Sequence, residues 1–141
     1  MSIWFGTPTL EKVINWHDDT MAEHIGLVFT EIGDDYLRAE MAISGRTVQP
    51  FRNMHGGASA TMAETLGSVA AQLTVDDDKQ RCVGLSLNIS HIRAVPEGQT
   101  LTGTARPFHI GRTTQVWDIQ MTDPRGKLAA VARLTLAVLT L

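Results

Sequence analysis

The 141-residue sequence predicts an α+β fold in which a curved antiparallel sheet of about six strands wraps one long central helix. Three observations predict it. Residues 53 to 72, "NMHGGASATMAETLGSVAAQ", read as a long helix built mostly from alanine, glycine and other small side chains. Two short β-like runs precede it, and four extended runs separated by turn sequences follow. A helix that is apolar or small over most of its surface must be covered nearly all round, and a curved sheet can do that.

In chain order, Thr7 and Pro8 mark a helix start, because proline is pre-set for the first helical position, and "LEKVINWH" follows with helical spacing. Gly26 ends this region. "LVFTEIG" and "YLRAEMAI", separated by "DD", form a hairpin, and "SGRTVQPFRN" is a loop into the long helix. Beyond "DDDKQ", Val83, Leu85, Leu87 and Ile89 alternate with Gly84, Ser86, Asn88 and Ser90, the pattern of a half-buried strand. "VPEG", "GRT" and "DPRG" then punctuate three further runs, and the four runs together are expected to form an antiparallel meander. No repeat or composition change divides the chain, so residues 1–141 are expected to form one domain.

Composition narrows the functions. Twelve basic against fifteen acidic side chains give a formal charge of −3, which supplies no broad positive field for nucleic acid. A single cysteine, Cys82, excludes an internal disulfide framework, and no apolar run approaches the roughly 20 residues a bilayer needs. "MSIWFGTPTLEK" lacks the basic start and apolar core of a secretory signal, so the cytoplasm is the expected compartment, with no membrane partner. The five histidines, at 17, 24, 55, 91 and 109, form no HxH or HExxH pattern, and no metal is expected.

At about 100° per residue the long helix sorts into three faces. Met62, Leu66, Val69 and Leu73 form a stripe of large apolar side chains; Ala60, Ala63, Gly67, Ala70 and Ala71 form a stripe of small ones. Thr61, Glu64, Ser68 and Gln72 form the third, a polar seam between two faces that must be buried. Glu64 and Ser68 stand at i and i+4, where side chains can meet. A carboxylate placed there is suited to act as base or nucleophile, although a solvated helix face is an equally good reading of the seam alone. Gly56 and Gly57 after His55 let backbone N–H groups approach a ligand at the positive end of the helix dipole. Such donors could polarise a carbonyl.

"QPFRNMHGGASATMAETLGS", carrying Gln49, His55, Gly56, Glu64 and Ser68 in this spacing, resembles the signature of hotdog-fold acyl-CoA thioesterases. The likeness is to the PaaI-like branch that holds the Glu-dependent 4-hydroxybenzoyl-CoA thioesterase, the enterobactin proofreading thioesterase and the 1,4-dihydroxy-2-naphthoyl-CoA thioesterase. "IGDDYLRAEM", "VGLSLNISHIR", "PFHIGR" and "QVWDIQ" extend it over most of the chain. The resemblance implies hydrolysis of acyl-CoA, with aromatic or bulky acyl groups preferred, and no cofactor beyond the coenzyme A of substrate and product. It also implies a homo-oligomer, a dimer or a dimer-of-dimers tetramer, with sites at the subunit interface.

Carried over, Glu64 would attack the thioester carbon or activate a water, Gly56 N–H would polarise the carbonyl, Gln49 and His55 would bond near the acyl group, and Ser68 would orient Glu64 or the water. The resemblance assigns coenzyme A binding to Gly84, to His91, Ile92, Arg93 and Ala94, and to His109, Ile110, Gly111, Arg112, Thr113 and Thr114. The two threonines depart from the basic or ring side chains of related sequences. Trp4, Phe5, Phe51 and Met54 are candidates for an acyl pocket, or for packing. A carrier-protein thioester presents the same reacting atoms. The rival readings are a hydratase or dehydratase using His55 and Glu64, and a non-catalytic acyl-CoA-binding module.

Overall fold

The computed structural model describes all 141 residues. Its centre is helix α3, Gly56–Leu73, which follows two short helices, α1 (Leu10–Trp16) and α2 (Met21–His24), and a first hairpin of β1 (Leu27–Ile32) and β2 (Leu37–Ala42). Strands β3 (Gln80–His91), β4 (Thr100–Ile110), β5 (Thr114–Thr122) and β6 (Leu128–Thr140) complete one antiparallel sheet in the order β1-β2-β4-β5-β6-β3. The expected α+β architecture is present. α1 begins at Leu10 rather than at Pro8, because the Thr9 hydroxyl accepts the Lys12 N–H and caps the helix there.

The helix lies on the sheet by the faces its periodicity defines. Met62, Leu66, Val69 and Leu73 are buried, and so are Ala63, Gly67, Ala70 and Ala71. The small stripe allows a close approach: a Cβ on Gly67 would fall 2.6 Å from Leu134 Cδ2, and one on Gly103 would fall 2.7 Å from Leu66 Cδ1. The small stripe and the inward side of β6 are thus absorbed within the chain, where Ala130, Ala132, Leu134 and Leu136 are also buried.

The C-terminal end of α3 is tied to the sheet. There Trp117 Nε1 donates to Gln115 Oε1 at 2.8 Å, and Gln115 Nε2 donates to Thr74 Oγ1 at 2.9 Å, so a polar chain that starts fully buried ends on the partly buried helix cap. Trp4 stacks on Trp117 with ring centroids 6.2 Å apart and donates its indole N–H to the Gly33 carbonyl. It is therefore core and no part of an acyl pocket. Burial of a side chain that size contributes on the order of 3 kcal/mol.

Two expectations about the sheet fail for identifiable reasons. β3 pairs with β6 and not with β4, so the four late strands are no simple meander. "VPEG" is pinned elsewhere: Met54 N–H donates to Val95 O, Arg52 grips Glu97, and Gly98 N–H donates to Ile43 O beside β2, whose edge β4 then joins. Within β3 the register shifts between Gly84 and Ser86, leaving Leu85 bulged. The bulge reverses the alternation, so Leu87 and Ile89 face the core, whereas Val83 and Leu85 are exposed.

The close helix–sheet contact gives a stability prediction. Gly67→Ala gains about 1 kcal/mol of helix propensity but drives a methyl into Leu134, and overpacking of that kind costs about 1–3 kcal/mol. Urea denaturation should show net destabilisation; a more stable variant would mean that β6 yields easily at Leu134.

Candidate active site

The start of α3 leaves one donor free. His55 holds an extended conformation, φ −69° and ψ 130°, and its carbonyl accepts the Ala58 and Ser59 N–H groups. Its Nδ1 accepts the Gly57 N–H at 2.7 Å, which places the proton of the neutral ring on Nε2 and makes His55 an N-cap. Gly56 N–H makes no hydrogen bond within the chain. It stands at the positive end of an 18-residue helix. A Cβ on Gly56 would lie 3.0 Å from both Cε1 and Nε2 of His91, which reaches over from the end of β3, so a side chain here would press on that ring.

The loop before the helix presents Gln49. Its Oε1 accepts the Phe51 N–H, its own N–H donates to Asn53 O at 2.8 Å, and its carbonyl accepts the Arg52 N–H. The amide is thereby fixed with its Nε2 donors uncommitted. Arg52, at φ +66°, clamps the loop to the β3–β4 connection through a two-point ion pair with Glu97, Nε to Oε2 at 2.8 Å and Nη2 to Oε1 at 2.5 Å. That grip raises the Arg52 proton affinity, chiefly by hydrogen bonding, and lowers that of Glu97. Phe51, 85% exposed, stands on the same loop, and Met54 is partly buried against the core.

The polar seam of α3 runs beside β3. Thr61, Glu64, Ser68 and Gln72 are all half-buried. Glu64 makes no hydrogen bond to Ser68 or any other group, and its carboxylate occupies the space where a side chain on Gly84 would be. At the far end Gln72 bolts the helix to the strand: its Oε1 accepts the Cys82 N–H at 2.9 Å, and its Nε2 donates to Gln80 O at 3.1 Å and Asp77 Oδ1 at 2.8 Å. Burial pulls Asp77 upward, but bonds from Lys12 and Gln72 outweigh it and hold the carboxyl below its usual range. A cleft of about 370 Å³ beside Gln72 takes in Phe5, Lys12 and Asp76 to Asp78. Phe5 is thus at the opposite end of α3 from Phe51 and Met54, and one chain does not gather the four proposed pocket residues.

The two proposed coenzyme segments are also far apart in one chain. Ile92 and Arg93 N–H groups donate to Ala129 O at the start of β6, whereas Val138 N–H donates to Thr113 O near its end. Nine residues of strand separate these anchors by about 30 Å. Arg93 is exposed and gives one donor to Leu128 O; Arg112 is exposed. His91, Ile92 and Ala94 are exposed with Arg93, and so are His109, Ile110, Thr113 and Thr114 with Arg112, while Gly111 is half-buried and closes the β4–β5 turn through Thr114 O. No group of three or more His, Cys, Asp or Glu side chains is arranged to hold a metal ion, and no helix is long and apolar enough to cross a membrane.

A free helix-start amide, an uncommitted glutamine amide and a half-buried helical glutamate on a helix wrapped by a six-stranded antiparallel sheet define a hotdog-type thioester hydrolase. The thioesterase superfamily model matches residues 51–130, and the chain belongs to that superfamily. The chain is 46% identical over 137 residues to the proofreading thioesterase EntH of Cronobacter sakazakii, covering 97% of this chain and 98% of that one. It superimposes on the thioesterase PA1618 of Pseudomonas aeruginosa, crystallised as its Q49A mutant, with a TM-score of 0.96 at 42% identity, covering 99% and 100% of the two chains. For the thioesterase HI1161 of Haemophilus influenzae the TM-score is 0.94 at 38% identity, with 98% and 95% covered.

Cys82 takes no part in this chemistry. Burial, with the negative charge of Asp77 adding, pushes its thiol up to about 11. Native protein at pH 8 should react with iodoacetamide at least about 100-fold more slowly than denatured protein, whose thiol titrates near 8.5. Equal rates would show an accessible, ionised Cys82.

Proposed function

We propose that the protein hydrolyses acyl-CoA thioesters, with aromatic or other bulky acyl groups preferred, in sites that are each shared by two copies of the chain. The observation that carries this reading is a separation. The eight residues from Gly56 to Glu64 span about 12 Å of helix, too far for the amide and the carboxylate of one chain to engage one thioester group.

The open edge of the sheet supports a remedy. β3 is a 12-residue edge strand with Arg81 as its only Lys, Arg, Asp or Glu and with Val83 and Leu85 exposed. It carries none of the proline or lysine that usually protects an edge, so a second strand is its natural complement. At the other edge, β1 has a bulge and α1 and α2 packed against it. Pair β3 with itself about a two-fold axis through Asn88, leaving Leu85 bulged. Leu87 then opposes the partner's Ile89, and Gly84 opposes the partner's His91, each pair pointing inward. Because Glu64 lies on Gly84 and Gly56 lies beside His91, the same register sets Glu64 against the partner's Gly56. It also carries the partner's Arg93 to the end of the sheet that holds Arg112, so the two halves of a coenzyme grip meet.

In such a site the thioester oxygen accepts the free Gly56 N–H, with Gln49 Nε2 and His55 Nε2 as further donors. Glu64 of the other chain attacks the carbonyl carbon and expels the coenzyme thiolate, leaving an anhydride that water hydrolyses to the free acid and Glu64, or it takes a proton from a water that attacks the carbonyl carbon with loss of the same thiolate. Ser68, one turn along the helix from Glu64 and not bonded to it, orients that water. The exposed Phe51 ring beside Gln49 suits an aromatic or bulky acyl group, which is the support within the chain for that preference. We read residues 1–141 as one domain, working in the cytoplasm without a metal, and by family analogy two dimers pair into a tetramer.

Thiol release from benzoyl-CoA, a medium-chain and a short-chain acyl-CoA tests the reading. Wild type should release thiol, and folded Glu64→Gln should lose at least about 10³-fold in kcat. Ser68→Ala should lose only about 10-fold. Gly56→Pro should fall about 10²–10³-fold below Gly56→Ala, because His55 already has the extended ψ that proline demands of its predecessor and the two variants differ chiefly in the N–H. Full turnover by Glu64→Gln would remove the carboxylate from the mechanism, and no release from any substrate would contradict the acyl-CoA reading.

A further inference from the structure

Gly84 has an occupant for its missing side chain. A Cβ built there would overlap Glu64 Oε1 and lie 3.3 Å from Cδ and 3.7 Å from Oε2; its three nearest heavy atoms all belong to that one carboxylate. The backbone does not require glycine, since Gly84 is not among the residues with positive φ. Nor does the sheet, since Gly84 pairs in register with Leu136. The vacancy is matched to Glu64 alone. Immediately after Gly84 the register breaks at Leu85, so the strand is regular up to the residue that receives the carboxylate and irregular beyond it.

We propose that Gly84 is a positioning residue for the reaction: its absent side chain forms the recess that holds the Glu64 carboxylate against the open edge strand. This differs from the coenzyme-gripping role that family resemblance assigns to it, and it rests on Glu64 being the reacting carboxylate. With no hydrogen bond to fix it, Glu64 is held in place by shape, and the shape is that of a glycine. A methyl at position 84 meets only the far end of a flexible side chain, so it moves the carboxylate while sparing the fold. Displacement of a reacting group by about 1 Å can lower the rate about 100-fold.

The test measures kcat, KM and melting temperature for wild type, Gly84→Ala, Glu64→Asp and the double variant on the best acyl-CoA substrate, with Glu64→Gln as control. Gly84→Ala should keep its melting temperature within about 2 °C, keep KM within about 2-fold, and lose about 100-fold in kcat. Glu64→Asp withdraws the carboxylate by one methylene, so it should cost less in the Gly84→Ala background than in wild type. Unchanged kcat, strictly additive losses, a large fall in melting temperature, or a raised KM at unchanged kcat would each overturn the proposal; the last would assign Gly84 to the coenzyme. Turnover retained by Glu64→Gln would remove Glu64 itself, whereas an inactive Glu64→Gln beside a fully active Gly84→Ala would sink only the role of Gly84.

Discussion

The contact on which the rest depends is that between the polar seam of α3 and strand β3, the long edge that the sheet leaves open. Sheet order places β3 beside β6, at the flank of the helix where Glu64, Ser68 and Gln72 emerge. Along that line three helix–strand pairings recur: Gly56 with His91, Glu64 with Gly84, and Gln72 with Cys82. Each fixes a helix position against a strand position, so the register of the strand edge is also the register of the helix. A partner strand added to this edge would set the chemical groups of two helices against each other without further adjustment.

The surrounding structure holds that line rigid. Gln72 and the Trp117–Gln115–Thr74 chain fix the C-terminal end of α3, and the Arg52–Glu97 clamp fixes the loop that carries Gln49 and leads into His55. The ion pair itself is exposed and contributes on the order of 1 kcal/mol or less to stability. Its consequence is geometric, since it ties the loop before the helix to the connection that starts β4. Most of the apolar burial lies on the other side of the helix, against the inward faces of β4, β5 and β6. The apolar burial and the candidate site thus lie on different faces of one helix.

Much of this was legible in the sequence, and what was not has a physical reason. The three faces of α3 could be read because helical periodicity is local and the seam holds only polar side chains. The strand alternation at Val83 to Ile89 put Leu87 and Ile89 on the inward face correctly but Val83 and Leu85 wrongly, because a bulge at Leu85 carries no compositional mark and turns the later side chains over relative to the earlier ones. "VPEG" read as a hairpin turn because its residues suit one, while contacts with Asn53, Met54 and Ile43, distant in sequence, decide its path. Glu64, Ser68 and the His55–Gly56 helix start stood out through their spacing, whereas Gln49 was marked only by the resemblance to hotdog thioesterases. That His55 caps the helix, that Gly84 receives Glu64, and that the coenzyme segments lie at opposite ends of β6 are facts of tertiary distance, which no single stretch encodes.

Complementation between two inactive variants tests the shared site most directly. Glu64→Gln lacks the carboxylate and Gly56→Pro lacks the amide, and co-expression in equal amounts yields half mixed dimers, each with one site carrying both groups intact. The account predicts recovery of about one quarter of wild-type turnover in the co-expressed pair. Activity no higher than that of the separate variants, in a mixture shown to contain mixed dimers, would contradict it and place the amide and the carboxylate in unrelated sites.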